Sequence, residues 1–493
     1  MAAVDTNSIS LALCKETVSG TLPGAGTKAL YLEPNGIPEF GGSISTVARA
    51  PISANRQQRK GTITDFSSTV SVEQDLTVSS FLSVIEGAVL SEWQGVPTLH
   101  AAKTTASGLT VTSLTKDVPA NALVYLHGFK QNTGLKKVTA AAKAGTTAIS
   151  ISGLVAGDEG TAFVCGVEGE AGDIKSGVNT LESTKLDFTT LPLFKGAAIF
   201  VGGETKSTSF ETGISGLARI VKVEAHTLTL DKLDKLDTAF AEDSGDTKTI
   251  RIFFGPFLRN VPVNDELFTP HSYSMELTYP GLVDTESGVV DGYEYSTGNK
   301  INTLEIGMSV NDKATLNITT FGLDTHPVSE TSQGWDISNP TFIEAFSTPS
   351  DFLRLRVQGV DEEGLTSYFK DCTLSINNNI SAENVLAKLG PAFTNIGTLN
   401  VSLSGNIVFT NPKVTEKIRN NCTCSADLCL SNNDGSIYID LPRITLGDGK
   451  KDFAVNEKVK LSLTGTSFVD DDYDYSVGIT YFAYLPTAKS IAC

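Results

Sequence analysis

Ser68-Thr-Val-Ser-Val-Glu-Gln-Asp-Leu-Thr-Val78 sets Val70, Val72, Leu76 and Val78 at even spacing. Far downstream, Asn400-Val-Ser-Leu-Ser-Gly-Asn-Ile-Val-Phe409 repeats the phase with Val401, Leu403, Ile407 and Phe409. Residues two apart share one face of a strand, so each stretch reads as a strand with one apolar and one polar face. An Ile-Ser-Ala loop precedes each copy, at Ile52 and at Ile380, and a short run with helical spacing follows each. Loop, strand and helix written twice, roughly 330 residues apart, are the mark of an intragenic duplication. The competing reading is chance, because alternating Val and Ser recurs in many β proteins.

A second echo lies between these copies. Val124-Tyr-Leu-His-Gly-Phe129, Gly134-Leu-Lys-Lys-Val138 and Thr146-Thr-Ala-Ile-Ser-Ile151 are answered by Ile199-Phe-Val-Gly-Gly203, Gly216-Leu-Ala-Arg-Ile-Val221 and His226-Thr-Leu-Thr-Leu230. Each set reads as three short strands with glycine at the corners, enough for a small β lobe. The acidic, glycine-bearing stretch from Val155 to Asp173 reads as a surface linker between them. Helical spacing is confined to about 79–91, 339–347 and 411–420. Asn432-Asn-Asp-Gly435 predicts a hairpin of type I′. The fold class is therefore all-β.

Composition agrees. The 493 residues include 44 glycines but only 3 Met and 2 Trp, with 38 basic against 56 acidic side chains, a net charge of −18. Such a balance argues against wrapping nucleic acid, which draws on clustered Lys and Arg. No apolar run approaches the length of a membrane span. Met1 to Asp5 lacks a basic leader, so no secretory signal is expected.

No catalytic constellation is legible. The five histidines lack metal-protease spacing, and His127 lies within an alternating strand. Cys422-Thr-Cys424 with Cys429 lacks the paired spacing of a structural zinc site, so these read as thiols in a reducing compartment. Asp470-Asp-Asp-Tyr-Asp474 has carboxylates for a calcium ion but not the glycine or distal glutamate of a calcium loop; a solvated loop is the plainer reading. No catalytic residue, cofactor or metal is expected. The basic run Arg56-Gln-Gln-Arg59-Lys60 is too short and too poor in aromatics for nucleic acid. It suits a salt-bridging loop that answers acidic surface on a neighbouring copy.

In their order, Ile52–Gly61 with the strand and helix behind it, Tyr295–Gly298, Ile301–Leu304, Leu374–Asn379, Gly397–Phe409 and Gly435–Arg443 resemble the tail tube (major tail) proteins of long-tailed, non-contractile bacteriophages, in the form with two tube domains per chain. The resemblance implies tandem tube-like β sandwiches or barrels with short helices, plus inserted lobes. The division expected is an N-terminal segment 1–47, a first tube domain 48–94 and 266–325, inserted lobes 95–265, a linker 326–350, a second tube domain 351–486 and a tail 487–493. It implies a structural virion protein, assembled in the host bacterial cytoplasm, that polymerises as stacked rings into the conduit for DNA ejection. Three copies would give a pseudo-sixfold ring. Partners implied are other copies, tail terminator, tape measure and tail-tip proteins, and double-stranded DNA that passes without specific binding; no membrane insertion is implied. Loops 47–61 and 380–393 become ring-to-ring connectors, with Arg56, Arg59, Lys60, Asn384 and Lys388 as inter-subunit contacts. Glu73 and Asp75 become lumen-facing acids in a wall with few basic groups. The rival readings are a tail fibre or decoration protein, and a calcium- or carbohydrate-binding β sandwich using Asp470–Asp474.

Overall fold

Four strands open the chain: β1 (Ser10–Lys15), β2 (Lys28–Leu32), β3 (Pro34–Ala48) and β4 (Gly61–Asp75), followed by helix α1 (Val78–Val89). The computed structural model describes residues 4–486 except 51, 53, 55, 96–98, 211–215, 233–243, 286–287, 359–368 and 411; the expected tail 487–493 lies outside the described residues. Thr77 caps α1: its side chain accepts from the Ser80 amide at 3.0 Å, and Ser80 Oγ accepts from the Thr77 amide at 2.9 Å. Leu90, at φ +58°, ends it. Phe81, Ile85 and Ala88 face the core, and Gly87 lets the Tyr273 ring lie where a Cβ would meet it at 2.7 Å.

An excursion of twelve strands follows: β5 (Leu99–Thr105), β6 (Gly108–Thr110), β7 (Ala122–His127), β8 (Gly134–Ala140), β9 (Ala148–Ile151), β10 (Glu159–Glu168), β11 (Lys175–Gly177), β12 (Thr180–Glu182), β13 (Ala198–Val201), β14 (Gly216–Val223), β15 (Thr227–Asp231) and β16 (Arg251–Phe253). The chain then returns through β17 (Phe257–Arg259), β18 (Tyr273–Thr285), β19 (Gly288–Ser309), β20 (Thr315–Gly322), β21 (Asp324–Ser329) and β22 (Asp336–Ser338). The last third holds β23 (Phe352–Gln358), β24 (Phe369–Asn377), β25 (Ser381–Asn384), β26 (Pro391–Asn395), β27 (Asn400–Val408), α2 (Lys413–Arg419), β28 (Thr423–Asn432), β29 (Gly435–Asp452), β30 (Lys460–Phe468) and β31 (Gly478–Phe482).

The strand pairings repeat. In the first unit β1 pairs β18, β18 pairs β19, β19 pairs β20 and β21, β20 pairs β4 and β4 pairs β3. In the second, β23 pairs β28, β28 pairs β29, β29 pairs β30 and β31, β30 pairs β27 and β27 pairs β24. Helices α1 and α2 follow the matching strands β4 and β27. Identical connectivity over eight elements is not a coincidence of Val and Ser, so duplication is the reading that survives. Residues 1–47, expected to stand apart, supply β1–β3 to the first unit. Residues 326–350, expected as a linker, supply β22, which runs parallel to β2, and the buried Phe342 and Phe346.

The sheets of the two units join edge to edge where β19 lies antiparallel to β24, Thr303 opposite Asn377 through Ser309 opposite Asp371. The result is a continuous eight-stranded sheet, β3-β4-β20-β19-β24-β27-β30-β29. Its inward side chains, among them Val70, Leu304, Leu374, Leu403 and Leu446, share one apolar core with α1 and the strands behind.

The excursion folds as the second echo foretells, with β7-β8-β9 matched by β13-β14-β15. In the first lobe six strands close on themselves, because β10 pairs both β7 and β5 while β6 joins β5 to β9. The expected surface linker is instead β10, whose Ala162, Phe163, Cys165 and Val167 are buried; flanking glycines and acids masked a core strand. Two further expectations fail. Residues 339–347 form no helix: Pro340 interrupts them, and Phe342 and Phe346 are stitched in extended form to Ser79 Oγ and the Leu76 carbonyl. The β28–β29 hairpin turns where expected, but Asn433 and Asp434 keep negative φ and only Gly435, at +147°, is positive, so it is not type I′. No described helix is long and apolar enough to cross a membrane.

Buried charge fastens the second lobe to the second unit. Asp440, about 1% exposed, accepts from Arg219 at 2.9 Å, from Lys232 and from Tyr475 Oη at 2.8 Å. Asp427 pairs with Arg354 and Arg356, which also donate to the Lys232 carbonyl. Lys232 and Arg219 hold Asp440 below the ordinary carboxylate range against the opposing pull of desolvation, whereas burial dominates at Asp427 and raises it. Removing one member of a buried ion cluster strands the others. Asp440→Ala should therefore lower stability by roughly 3–5 kcal/mol, seen as a depressed melting temperature and early proteolytic release of residues 99–253.

Candidate lumen face, free edges and projecting arms

The eight-stranded sheet has one face on the core and one turned away. The second face is built by the polar phase of each strand: Thr69, Ser71, Glu73 and Asp75 on β4; Thr315, Asn317 and Thr319 on β20; Thr303 and Glu305 on β19; Asp371, Thr373, Ser375 and Asn377 on β24; Ser402, Ser404 and Asn406 on β27; Ser462 and Thr464 on β30. Hydroxyls and amides dominate, with four carboxylates among them. Asp371 accepts from the Asn406 amide at 3.0 Å, and Glu305 from Ser375 Oγ at 3.3 Å. Among the described residues Lys313, Lys370 and Lys460 stand at or just before the starts of their strands, and Lys300 lies within β19 where its pairing with β20 begins. Lys313 lies 2.6 Å from Asp75 and Lys460 pairs with Glu457.

Glu73 is thus exposed on this face, and Asp75 shares it but is partly neutralised. Sequence reasoning missed Glu305, Asp371 and the hydroxyl carpet. Their signal was present as Thr373-x-Ser375-x-Asn377 and Ser402-x-Ser404-x-Asn406, where the polar residues keep the phase that the apolar ones leave empty.

Both edges of the sheet are open among the described residues. β3 pairs only with β4, and β29 beyond Thr445 pairs only with β30. Edges with unpaired N–H and C=O groups are templates for another strand.

The antiparallel registers give the sheet two distinct ends. Gly61 lies seven residues beyond Ser68, the last β4 residue paired with β20, so the β3–β4 hairpin extends past the sheet as an arm. Ile44, Val47, Ile52 and Ile63 are exposed on it, as are Arg49, Arg56, Arg59 and Lys60. Arg56 adopts φ +57° in the connecting loop. A second arm, the isolated β25–β26 hairpin, leans on the first: Asn384 Nδ2 donates to Asp65 Oδ1 at 3.3 Å, and Gly390 lies against the Phe66 ring. Its connection exposes Lys388 with Leu386 and Leu389.

The remaining candidates part ways. Asp470 spends its carboxylate on the Asp472 and Tyr473 amides (2.8 and 3.1 Å) and on Arg443 Nε (2.8 Å), so a guanidinium sits where a calcium ion was weighed. Cys424 and Cys429 lie in different apolar clusters, and among the described residues no three His, Cys, Asp or Glu side chains converge as metal ligands. Burial pushes the Cys14 and Cys372 thiols up, to about 11 and about 12, away from reactivity.

A family model described as phage tail tube protein matches residues 6–467. The chain belongs to the phage tail tube protein family. Comparison with curated proteins gave no match. Membership makes the chain a structural component of the virion tail, and its nearly all-β fold agrees with tandem tail-tube-like units.

The face predicts its own response to charge. Replacing Glu73, Glu305 and Thr373 with Lys should convert it into a weak duplex-DNA binder. Three new phosphate contacts imply about a 40-fold loss of that affinity between 50 and 200 mM salt, read by fluorescence anisotropy, while the natural protein stays unbound.

Proposed function

We propose that this protein polymerises into stacked rings that form the tail tube of a long-tailed, non-contractile phage and conduct its DNA into the host. The observation that carries the reading is the β19–β24 seam. It is an edge-to-edge joint between two homologous units, and each chain keeps one unused half of the same joint at either end of the sheet. Heterologous joints that close by rotation make rings. Three copies, six units, would close a barrel with the hydroxyl and carboxylate face lining the bore. DNA sliding past it meets no basic band that would hold phosphate by counterion release. A tube of this kind needs a tape measure within and terminator and tip proteins at its ends; assembly takes place in the host cytoplasm.

The internal seam supplies the register of the external one. Val70 and Val401 occupy matching places, so listing partners across the two sheets carries Glu305 onto Gly447 and Ser375 onto Glu39. Glu305 faces Ser375 inside the chain. Glu39 of one copy should then face Gly447 of the next at a Cα separation of about 4.5–5.5 Å, within disulfide reach. The double variant Glu39→Cys, Gly447→Cys should give covalent dimers and closed trimers on non-reducing gels after mild oxidation of assembled material. Monomers alone, beside intact tubes in negative stain, would refute the register.

A further inference from the structure

The buried ions between the second lobe and the second unit hold more than a salt bridge needs. Asp440 on β29 and Asp427 on β28 stand directly opposite one another, each about 1% exposed. Side chains so opposed share a face, with Cβ atoms about 4.5–5.5 Å apart. Lys232, just past the end of β15, reaches the pair and touches Asp440 Oδ1. The other oxygen, Oδ2, accepts from Arg219 Nη1 at 2.9 Å and from Tyr475 Oη at 2.8 Å. Lys232 holds φ +49°, a left-handed backbone that side chains rarely adopt. Its carbonyl is pinned there by Arg354 and Arg356, whose Nη2 atoms donate at 2.7 and 3.1 Å.

Charge does not balance in this cluster. Arg219, Lys232, Arg354 and Arg356 are all buried, against Asp427, Asp440 and the part-exposed Asp231. A guanidinium keeps its proton, so Lys232 is the one cation of the four that can become a neutral nucleophile. Buried ions are costly to desolvate, and joining an ammonium to a carboxylate as an amide removes one of each sign. Asp427 supplies a second carboxyl, which burial leaves holding a proton more readily than an ordinary aspartate.

We propose that Lys232 and Asp440 condense into an intramolecular isopeptide bond. One proton crosses from Nζ to Oδ1, leaving an amine and a carboxylic acid. The amine lone pair attacks Cγ, and negative charge gathers on Oδ2, where Arg219 and Tyr475 already donate. The Cγ–Oδ1 bond then breaks, a second Nζ proton leaves with Oδ1, and one water departs. Asp427, opposite, relays that second proton. Of the three ammonium protons one stays on the amide and two leave in the water, so no oxidant, reductant or outside reagent is consumed. Groups held in contact by the fold react as though highly concentrated, which is what lets an unactivated carboxyl serve. The bond ties the second lobe to β29 across 208 residues of chain, and it stands whether or not the protein forms rings.

The test uses full-length protein. Intact-mass spectrometry should find the chain lighter than its sequence by one water, and digestion should yield a branched peptide joining Lys232 to Asp440. A chain at its full sequence mass overturns the proposal. So does a missing water that maps elsewhere, for instance to a succinimide at Asp434-Gly435. Lys232→Arg keeps the charge but has no amine to condense, so it should regain the water; a deficit that persists in this variant overturns the assignment. Asp427→Asn leaves both reacting groups in place and should slow bond formation at least tenfold, followed as mass against time in newly synthesised protein. An unchanged rate overturns the relay given to Asp427.

Discussion

Unpaired main chain is the constraint on which this molecule turns. A β-sheet in water cannot leave a long flat edge bare without inviting another strand. Here one such edge pair is satisfied internally, β19 against β24, and another is kept open, β3 and β29. Pro34 and Pro38, with three register shifts along β3, make that edge a poor template for arbitrary strands while leaving it able to meet a surface shaped to its irregularity. The rest follows from keeping the sheet continuous: one apolar core behind both units, and one polar face in front of them.

Much of this was legible in the alternation. Val70, Val72, Val401 and Leu403 announced buried faces, and the repeated loop, strand and helix announced the two units. Strands whose partners lie far away in sequence were harder to see. β1 and β3 acquire their meaning only when paired with β18 and β4, and nothing local in residues 1–47 says so. β10 was hidden for another reason: Gly160 and Gly166 sit where neighbouring backbone approaches too closely for a Cβ, so glycine there marks tight packing rather than a loop. At 339–347 the apolar spacing of Phe342 and Phe346 was real, but it served an extended strap across α1. Of the candidate residues, the arm cations and Glu73 were readable as exposed charge.

The inserted lobes depend on a different kind of contact. Arg219 and Lys232 reach out of the lobe into Asp440, and Arg354 and Arg356 reach back to the Lys232 carbonyl. Interlocked ions tolerate few alternative poses, so the lobe is set in one orientation on the second unit. On the proposed ring this leaves three outward bosses on a wall of six units.

Fusing the two units also changes the arithmetic of assembly. In a six-unit ring half of the joints would already be closed when each polypeptide finishes folding, at an effective local concentration far above that of any dilute precursor pool. Only the remaining half would depend on collision between separate molecules, so ring closure becomes third order where a single-unit ancestor would have required six independent arrivals.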